Sequence, residues 1–98
     1  MTLEDPVIRL GVSNLSANDN KDRGNEFLWH NGAASKRGFF GFDTSTAKFT
    51  FIPDAVNTGE VFSGNAGDAV FGTVTADLVG DVTGNVTGSV VGDVKGSV

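Results

Sequence analysis

The residues that could carry acid–base or nucleophilic chemistry are few in this chain. Its single histidine is His30, and it contains no cysteine. A catalytic triad needs a histidine to activate a serine, and the G-x-S-x-G motif that presents such a serine does not occur. His30 follows Trp29 in an apolar run, a setting more typical of a sheet-face or hydrogen-bonded histidine than of a base or metal ligand. The sequence therefore predicts no enzymatic activity.

Motifs that bind cofactors or ions are also missing. The sequence contains no Walker phosphate loop, no EF-hand loop and no G-x-G-x-x-G dinucleotide motif. Asp81, Asn85, Ser89 and Asp93 recur at intervals of four residues, and their oxygens could bind a cation only if several chains brought them together. A solvated polar face is the favoured interpretation of this row. We expect no cofactor and no metal centre.

Composition and charge restrict the partners. The 98 residues carry a net charge of −5, which argues against nucleic acid or an anionic membrane surface as a partner. No apolar run is long enough to span a bilayer, and the first ten residues lack the apolar core of a secretory signal, so neither membrane insertion nor a signal peptide is expected. All eight phenylalanines and the tryptophan lie between Phe27 and Phe71. A core is therefore expected only in the first two-thirds of the chain.

Residues 72–98 repeat a four-residue unit, Gly-x-Val-x. The first position is glycine in every unit except at Ala76, and the third is valine except at Leu78. Because alternate residues of a strand share a face, this unit predicts one face of glycine and valine and one polar face. A helix is disfavoured, since each glycine costs about 1 kcal/mol relative to alanine. The predicted assembly residues of this face are Gly80, Val82, Gly84, Val86, Gly88, Val90, Gly92 and Val94.

A single strand of this length would leave both rows of its backbone donors and acceptors unpaired. Two arrangements would supply partners. The chain could coil as a solenoid with glycine at the corners, or several copies could wind around a common axis. Glycine suits both, because it allows a positive φ at a bend and a close approach of backbones. The run has little apolar bulk to bury within one chain, so association between copies is favoured.

The residues before this run predict a small antiparallel β-module followed by a stalk, with a boundary between 1–66 and 67–98. Strands are predicted at 7–12, at 25–30, in both arms of a hairpin within 35–54, and at 60–64. Turns are predicted at Asn31-Gly32, at 43–46 and at 57–59, where the sequence is rich in Asn, Asp, Thr and Gly.

Four phenylalanines of the central hairpin are predicted to share a face. Phe40 and Phe42 alternate on one arm, and Phe49 and Phe51 alternate on the other. A buried sheet face or a contact between subunits is far commoner for such a set than a platform that stacks on a ligand. These four residues are therefore predicted to serve assembly.

Several segments of the module resemble a known family. Residues 22–32 read DRGNEFLWHNG, 39–43 read FFGFD, 48–55 read KFTFIPDA and 60–64 read EVFSG. Together with the Gly-Asx-Val-Thr units that follow, they are similar to a module in virion structural proteins of tailed phages, notably phages of marine cyanobacteria. The resemblance covers nearly half of the chain.

The resemblance implies a fibre-like appendage or tail-fibre component of the virion, built as an intertwined homotrimer with a rigid β-helical stalk. It implies other virion proteins and a host surface receptor as partners, and it carries over no catalytic residue. The expected fold is all-β, a small antiparallel β-meander followed by the stalk. Two alternatives stay open from the sequence: an extracellular adhesin or self-assembling filament subunit of a bacterium, and a monomeric solenoid that binds ice or glycans.

Overall fold

The structure is a computed structural model in which residues 2–92 are described. These residues form five strands and no helix, which confirms the all-β class. The strands are β1 (Arg23–His30), β2 (Ser35–Asp43), β3 (Lys48–Ile52), β4 (Val56–Thr58) and β5 (Val61–Ser63). An antiparallel three-stranded sheet has the order β1-β2-β3, and β4 and β5 form a separate antiparallel hairpin.

The connection from β1 to β2 is longer than predicted. His30 lies opposite Ser35, so residues 31–34 form the loop and a two-residue turn at Asn31-Gly32 is wrong. The Asn31 side chain accounts for the difference, because its Oδ1 accepts hydrogen bonds from the N–H groups of both Ala33 and Ala34 at 2.8 Å. Such a side-chain acceptor closes a wider loop than a backbone turn does.

The hairpin of β2 and β3 forms as predicted. Asp43 lies opposite Lys48, and its Oδ1 accepts hydrogen bonds from the hydroxyl of Ser45 at 2.6 Å and from the N–H of Ser45 at 2.9 Å. These bonds favour the charged carboxylate and lower the pKa of Asp43, the hydroxyl bond having the largest effect. The chain returns into β3 through Ala47, which has a φ of 57°.

The turn between β4 and β5 lies further along the chain than the predicted turn at 57–59. Gly59 and Glu60 have φ values of 59° and 68°, the positive pair that defines a type I′ hairpin turn. Asn57 is a residue of β4, and its Oδ1 accepts a hydrogen bond from the N–H of Glu60 at 2.8 Å. Gly59 tolerates the first positive φ, and the asparagine side chain holds the second residue in place.

The strand predicted at 7–12 is absent. The Asp5 side chain accepts a hydrogen bond from the N–H of Val7 at 2.8 Å, and Gly11 bends the chain with a φ of 95°. Between these two bends, residues 7–10 make no backbone hydrogen bond to another strand of the described chain. The alternation of apolar residues was a correct sign of strand propensity, but a strand forms only where another strand pairs with it.

The core lies on one face of the three-stranded sheet, beneath the β4–β5 hairpin. Its four side chains, Phe39, Ile52, Ala55 and Phe62, are only 1–7% exposed. Phe39 lies opposite Ile52 in the sheet, and its ring stacks on that of Phe62 with centroids 4.1 Å apart. Gly41 makes room for this ring, since a Cβ there would lie 2.8 Å from Phe39 Cζ.

Asp22 fixes the β4–β5 hairpin over the core. Its two carboxylate oxygens accept hydrogen bonds from the N–H groups of Thr44 at 3.1 Å and Phe62 at 2.8 Å. Its own N–H donates to the carbonyl of Glu60 at 2.8 Å. One residue thus joins the start of β1, the β2–β3 turn and the second hairpin.

The tetrapeptide run forms no strand within the described part of the chain. A bend recurs at the first residue of every unit from Gly72 to Gly92, and Gly80, Gly84, Gly88 and Gly92 have φ values of 118–124°. The run is therefore not one continuous strand in the single chain, because the positive φ at these four glycines interrupts the extended backbone. A shared face of glycine and valine stays a prediction. The β-helical stalk stays a prediction. The radius of gyration is 18.0 Å, whereas a compact domain of this length has about 13 Å.

Candidate assembly surface

The face of the sheet opposite the core carries six aromatic side chains. The register places Phe40 opposite Phe51 and Phe42 opposite Phe49, so the four predicted phenylalanines share one face. Phe27 lies opposite Gly38, and Trp29 lies opposite Lys36, which adds two aromatic residues from β1. We call this surface the aromatic face; its members are Phe27, Trp29, Phe40, Phe42, Phe49 and Phe51.

The aromatic face is open to solvent in the single chain. Phe49 is 74% exposed and Phe40 is 52% exposed, whereas Phe39, their neighbour on the opposite face, is buried. Scattered exposed apolar residues are ordinary, but a contiguous aromatic cluster on a soluble protein marks an interaction site. Exposure therefore singles out this face as the surface at which another molecule would pack.

The rings of the aromatic face support one another. Phe49 contacts Phe40 and Phe42 at centroid distances of 6.1 and 6.0 Å, which is within the range of favourable aromatic pairs. Phe27 and Phe51 reach across β2 to a centroid distance of 6.2 Å. Gly38 permits this, since a Cβ there would clash with the Phe27 ring. These rings thus contact one another within the single chain.

The chain enters the tetrapeptide run along the edge of the aromatic face. The N–H of Gly67 donates to the carbonyl of Phe51 at 2.9 Å, and a Cβ at Gly67 would lie 2.6 Å from Pro53 Cδ. Trp29 fixes the same corner, because its Nε1 donates to the carbonyl of Pro53 at 2.7 Å. The joint that precedes the repeat is therefore fixed beside the aromatic face at Gly67.

Three ion pairs lie near the sheet. Arg37 Nε lies 3.2 Å from Glu26 Oε1 on the core side of the sheet, and Lys36 Nζ lies 3.2 Å from an oxygen of Asp54. At the start of β1, Arg23 lies 2.7 Å from Asp19 and lowers the pKa of that carboxyl through their hydrogen bond. The centre of the aromatic face carries no charge, which suits an apolar partner.

His30 has a structural hydrogen bond. Its Nδ1 accepts from the N–H of Gly32 at 3.0 Å, within the β1–β2 loop, as expected for a hydrogen-bonded histidine. No three metal-ligating side chains of residues 2–92 come together. Nor does this part of the chain contain a helix with the length and hydropathy of a membrane span.

The valines of the repeat differ in exposure according to their position in the unit. Val82, Val86 and Val90, all at the third position, are 57–64% exposed, whereas Val79 and Val91, at the fourth position, are 94–96% exposed. In these units the third-position side chains are thus less exposed than the fourth-position ones, whereas Val74, also at the third position, is 70% exposed. Of the predicted assembly residues, Val94 lies outside the described residues, as does Asp93 of the candidate cation row.

Glycine in the repeat is required for its backbone conformation and not for space. A Cβ at Gly80, Gly84, Gly88 or Gly92 would meet nothing within 4 Å in this chain, yet all four have a φ that other residues rarely adopt. Close approach of a second backbone at these glycines stays a prediction.

Two members of the aromatic face, Phe27 and Trp29, were not among the predicted assembly residues. The signal that could have found them is their own alternation in the run FLW, combined with pairing of β1 to β2 in the observed register. No family model matches the chain, and neither a curated protein nor a solved structure matches it.

Proposed function

We propose that this chain is a virion structural protein of a tailed phage, a fibre-like appendage or tail-fibre component. Three copies associate through their aromatic faces and continue as an intertwined β-helical stalk. The function is mechanical: the stalk supplies rigidity and reach for attachment to a host surface receptor, and the module joins the stalk to other virion proteins. The observation that carries the proposal is the exposed aromatic face beside the start of an unpaired tetrapeptide run.

The aromatic face supplies a substantial free energy of association. Complete burial of a phenylalanine contributes about 1.5–3 kcal/mol. Scaled by the exposed fractions of Phe40 and Phe49, their burial between copies contributes roughly 2–4 kcal/mol per chain. A stable interface usually buries about 800 Å² on each partner. These two side chains provide only part of that area, and the repeat supplies the rest.

The repeat suits this role because its third-position valines recur at a constant spacing. Turned towards a common axis, Val82, Val86 and Val90 form successive apolar layers, and each buried valine contributes about 1.5 kcal/mol or more. The Asp, Asn, Ser and Thr residues between them face solvent and limit lateral aggregation of the rod. The backbone groups that are unpaired in one chain find partners in the neighbouring copies.

Molar mass and particle shape test this proposal. Analytical ultracentrifugation of the full chain should give three times the chain mass of 10.1 kDa, and negative-stain electron microscopy should show short rods. Open-ended filaments would favour the filament subunit or adhesin of a bacterium. A compact monomer would contradict both.

A matched pair of substitutions tests the role of the repeat. Val86→Asp places one charge per chain among the apolar layers and should abolish the trimeric rod. Val91→Asp is the control, because Val91 is the same residue type at the fourth position, where the side chain faces solvent. If both variants keep the mass and shape of the parent protein, the inward orientation of the third-position valines is wrong.

A further inference from the structure

We propose that the segment Val7–Leu10 of one copy binds as an added strand along the free edge of β1 in a second copy. The inference rests on the proposed function only in requiring that copies associate. It assigns a role to two features that the aromatic face and the repeat do not use: an unpaired strand edge and an unpaired apolar segment.

The outer edge of β1 is unpaired over its whole length. All eight residues of β1 pair with β2 on one side without a bulge. On the other side, no backbone group from Gly24 to Trp29 has a hydrogen-bond partner elsewhere in residues 2–92. Sheet edges are commonly protected by proline, charged side chains or a bulge. β1 has no proline, lysine or bulge, and the charge of its central Glu26 is paired with Arg37. An open edge of this kind accepts an extended segment through main-chain hydrogen bonds.

The other edge of the sheet differs. The joint before the repeat runs beside β3, where the N–H of Gly67 donates a hydrogen bond to the carbonyl of Phe51. The same chain thus occupies the β3 edge at Phe51 and makes no such bond along the longer β1 edge from Gly24 to Trp29. This contrast identifies β1 as the edge available to another copy.

The segment Val7–Leu10 has the properties of the missing strand. It lies between the bends at Asp5-Pro6 and Gly11, and its apolar side chains are largely exposed, with Val7 at 70% and Ile8 at 65%. The sequence predicts a strand at this place, because β-branched residues favour a pleated, half-buried surface.

The segment does not pair with β1 of its own chain. Gly11 lies against the side chain of Arg23, where a Cβ would be 2.7 Å from Nε. Arg23 is held there by Asp19 and by the carbonyl of Lys21. With a φ of 95° at Gly11, the preceding residues make no backbone hydrogen bond to β1. An exchange between copies satisfies both the segment and the edge without changing this contact.

Disulfide trapping tests the proposal, and the absence of native cysteine makes each introduced thiol unambiguous. Full-length chains carrying only Ile8→Cys are mixed with chains carrying a single cysteine in β1, at Glu26, Phe27 or Leu28 in turn. Any disulfide between residue 8 and β1 must then join two chains. Because a disulfide requires Cα atoms about 4.4–6.8 Å apart, only positions near the docked segment should react. Chains with Thr46→Cys, in the β2–β3 turn and outside β1, measure random collision.

The expected result is a mixed disulfide at one or two β1 positions, formed several-fold faster than with the Thr46→Cys control and identified by mass spectrometry of the linked peptides. The same mixing with Arg9→Cys samples the opposite side of the segment, so a single misplaced thiol does not decide the outcome.

Two results would overturn the inference. One is reaction at no β1 position above the collision control while the protein keeps its trimeric mass; the proposed function would then survive without strand donation. The other is a disulfide that forms within a chain carrying both Ile8→Cys and Leu28→Cys and leaves it monomeric, because the segment would then fold back on its own β1.

Discussion

Truncating Phe62 and truncating Phe49 to alanine should have opposite consequences, although both are phenylalanines of the same small module. Phe62 is one of four buried core residues and stacks on Phe39 at 4.1 Å. Phe49 lies on the aromatic face and is mostly exposed. Comparing the two variants therefore tests which face of the sheet stabilises the fold.

The magnitudes follow from burial. Phe→Ala in a core costs about 3–5 kcal/mol. A module of roughly 40 residues has a total unfolding free energy of only about 2–6 kcal/mol, at about 0.05–0.15 kcal/mol per residue. Phe62→Ala should therefore remove most or all of the stability. Phe49 loses only about a quarter of its surface to the single chain, so Phe49→Ala should cost that chain less than about 1 kcal/mol.

Thermal unfolding followed over a range of protein concentrations separates the two effects. Association makes the melting temperature depend on protein concentration. Phe62→Ala should lower the melting temperature at every concentration, whereas Phe49→Ala should lower it mainly where the parent protein is associated. If Phe49→Ala destabilises dilute protein as much as Phe62→Ala does, the assignment of core and assembly faces is wrong.

Three further substitutions test individual contacts. Asp22→Ala removes the acceptors that hold the second hairpin and should cost about 1–3 kcal/mol in denaturant unfolding; an unchanged midpoint would contradict the role of Asp22. Because the pKa of Asp43 is lowered below its ordinary value of 3.8 in the folded chain, its stabilisation is present above that value and is lost as pH falls through the lower, folded pKa. Acid titration of stability should show this loss, and Ser45→Ala should reduce it. Gly84→Ala should destabilise the assembled stalk by about 1–3 kcal/mol through its positive φ, whereas Gly72→Ala, where φ lies outside the left-handed region, should be nearly neutral in thermal melting.

Local sequence signals predicted the central hairpin well. Alternating phenylalanines flank the run 43–46, whose Asp43 and Ser45 side chains close the turn through local hydrogen bonds. Everything needed for that hairpin lies between Phe39 and Ile52, so the local pattern was sufficient.

The location of the core could not be predicted in the same way. Phe39 and Phe40 are adjacent, and alternation says that they face opposite sides without saying which side is covered. The β4–β5 hairpin covers the Phe39 side of the sheet. That hairpin is fixed by the hydrogen bond between Asp22 and Phe62, which are 40 residues apart. The strand predicted at 7–12 failed for a related reason, because strand propensity does not supply a pairing partner.

The constant φ of the repeat glycines has a consequence for the length of the chain's extension. If every unit applies nearly the same rotation and rise, the length of the run changes in fixed steps of four residues. Adding or deleting a whole unit would change the reach and leave all other valines in phase. An insertion of one residue would turn every following valine away from its layer. If the proposed valine layers form, length variation in multiples of four is the kind that preserves them.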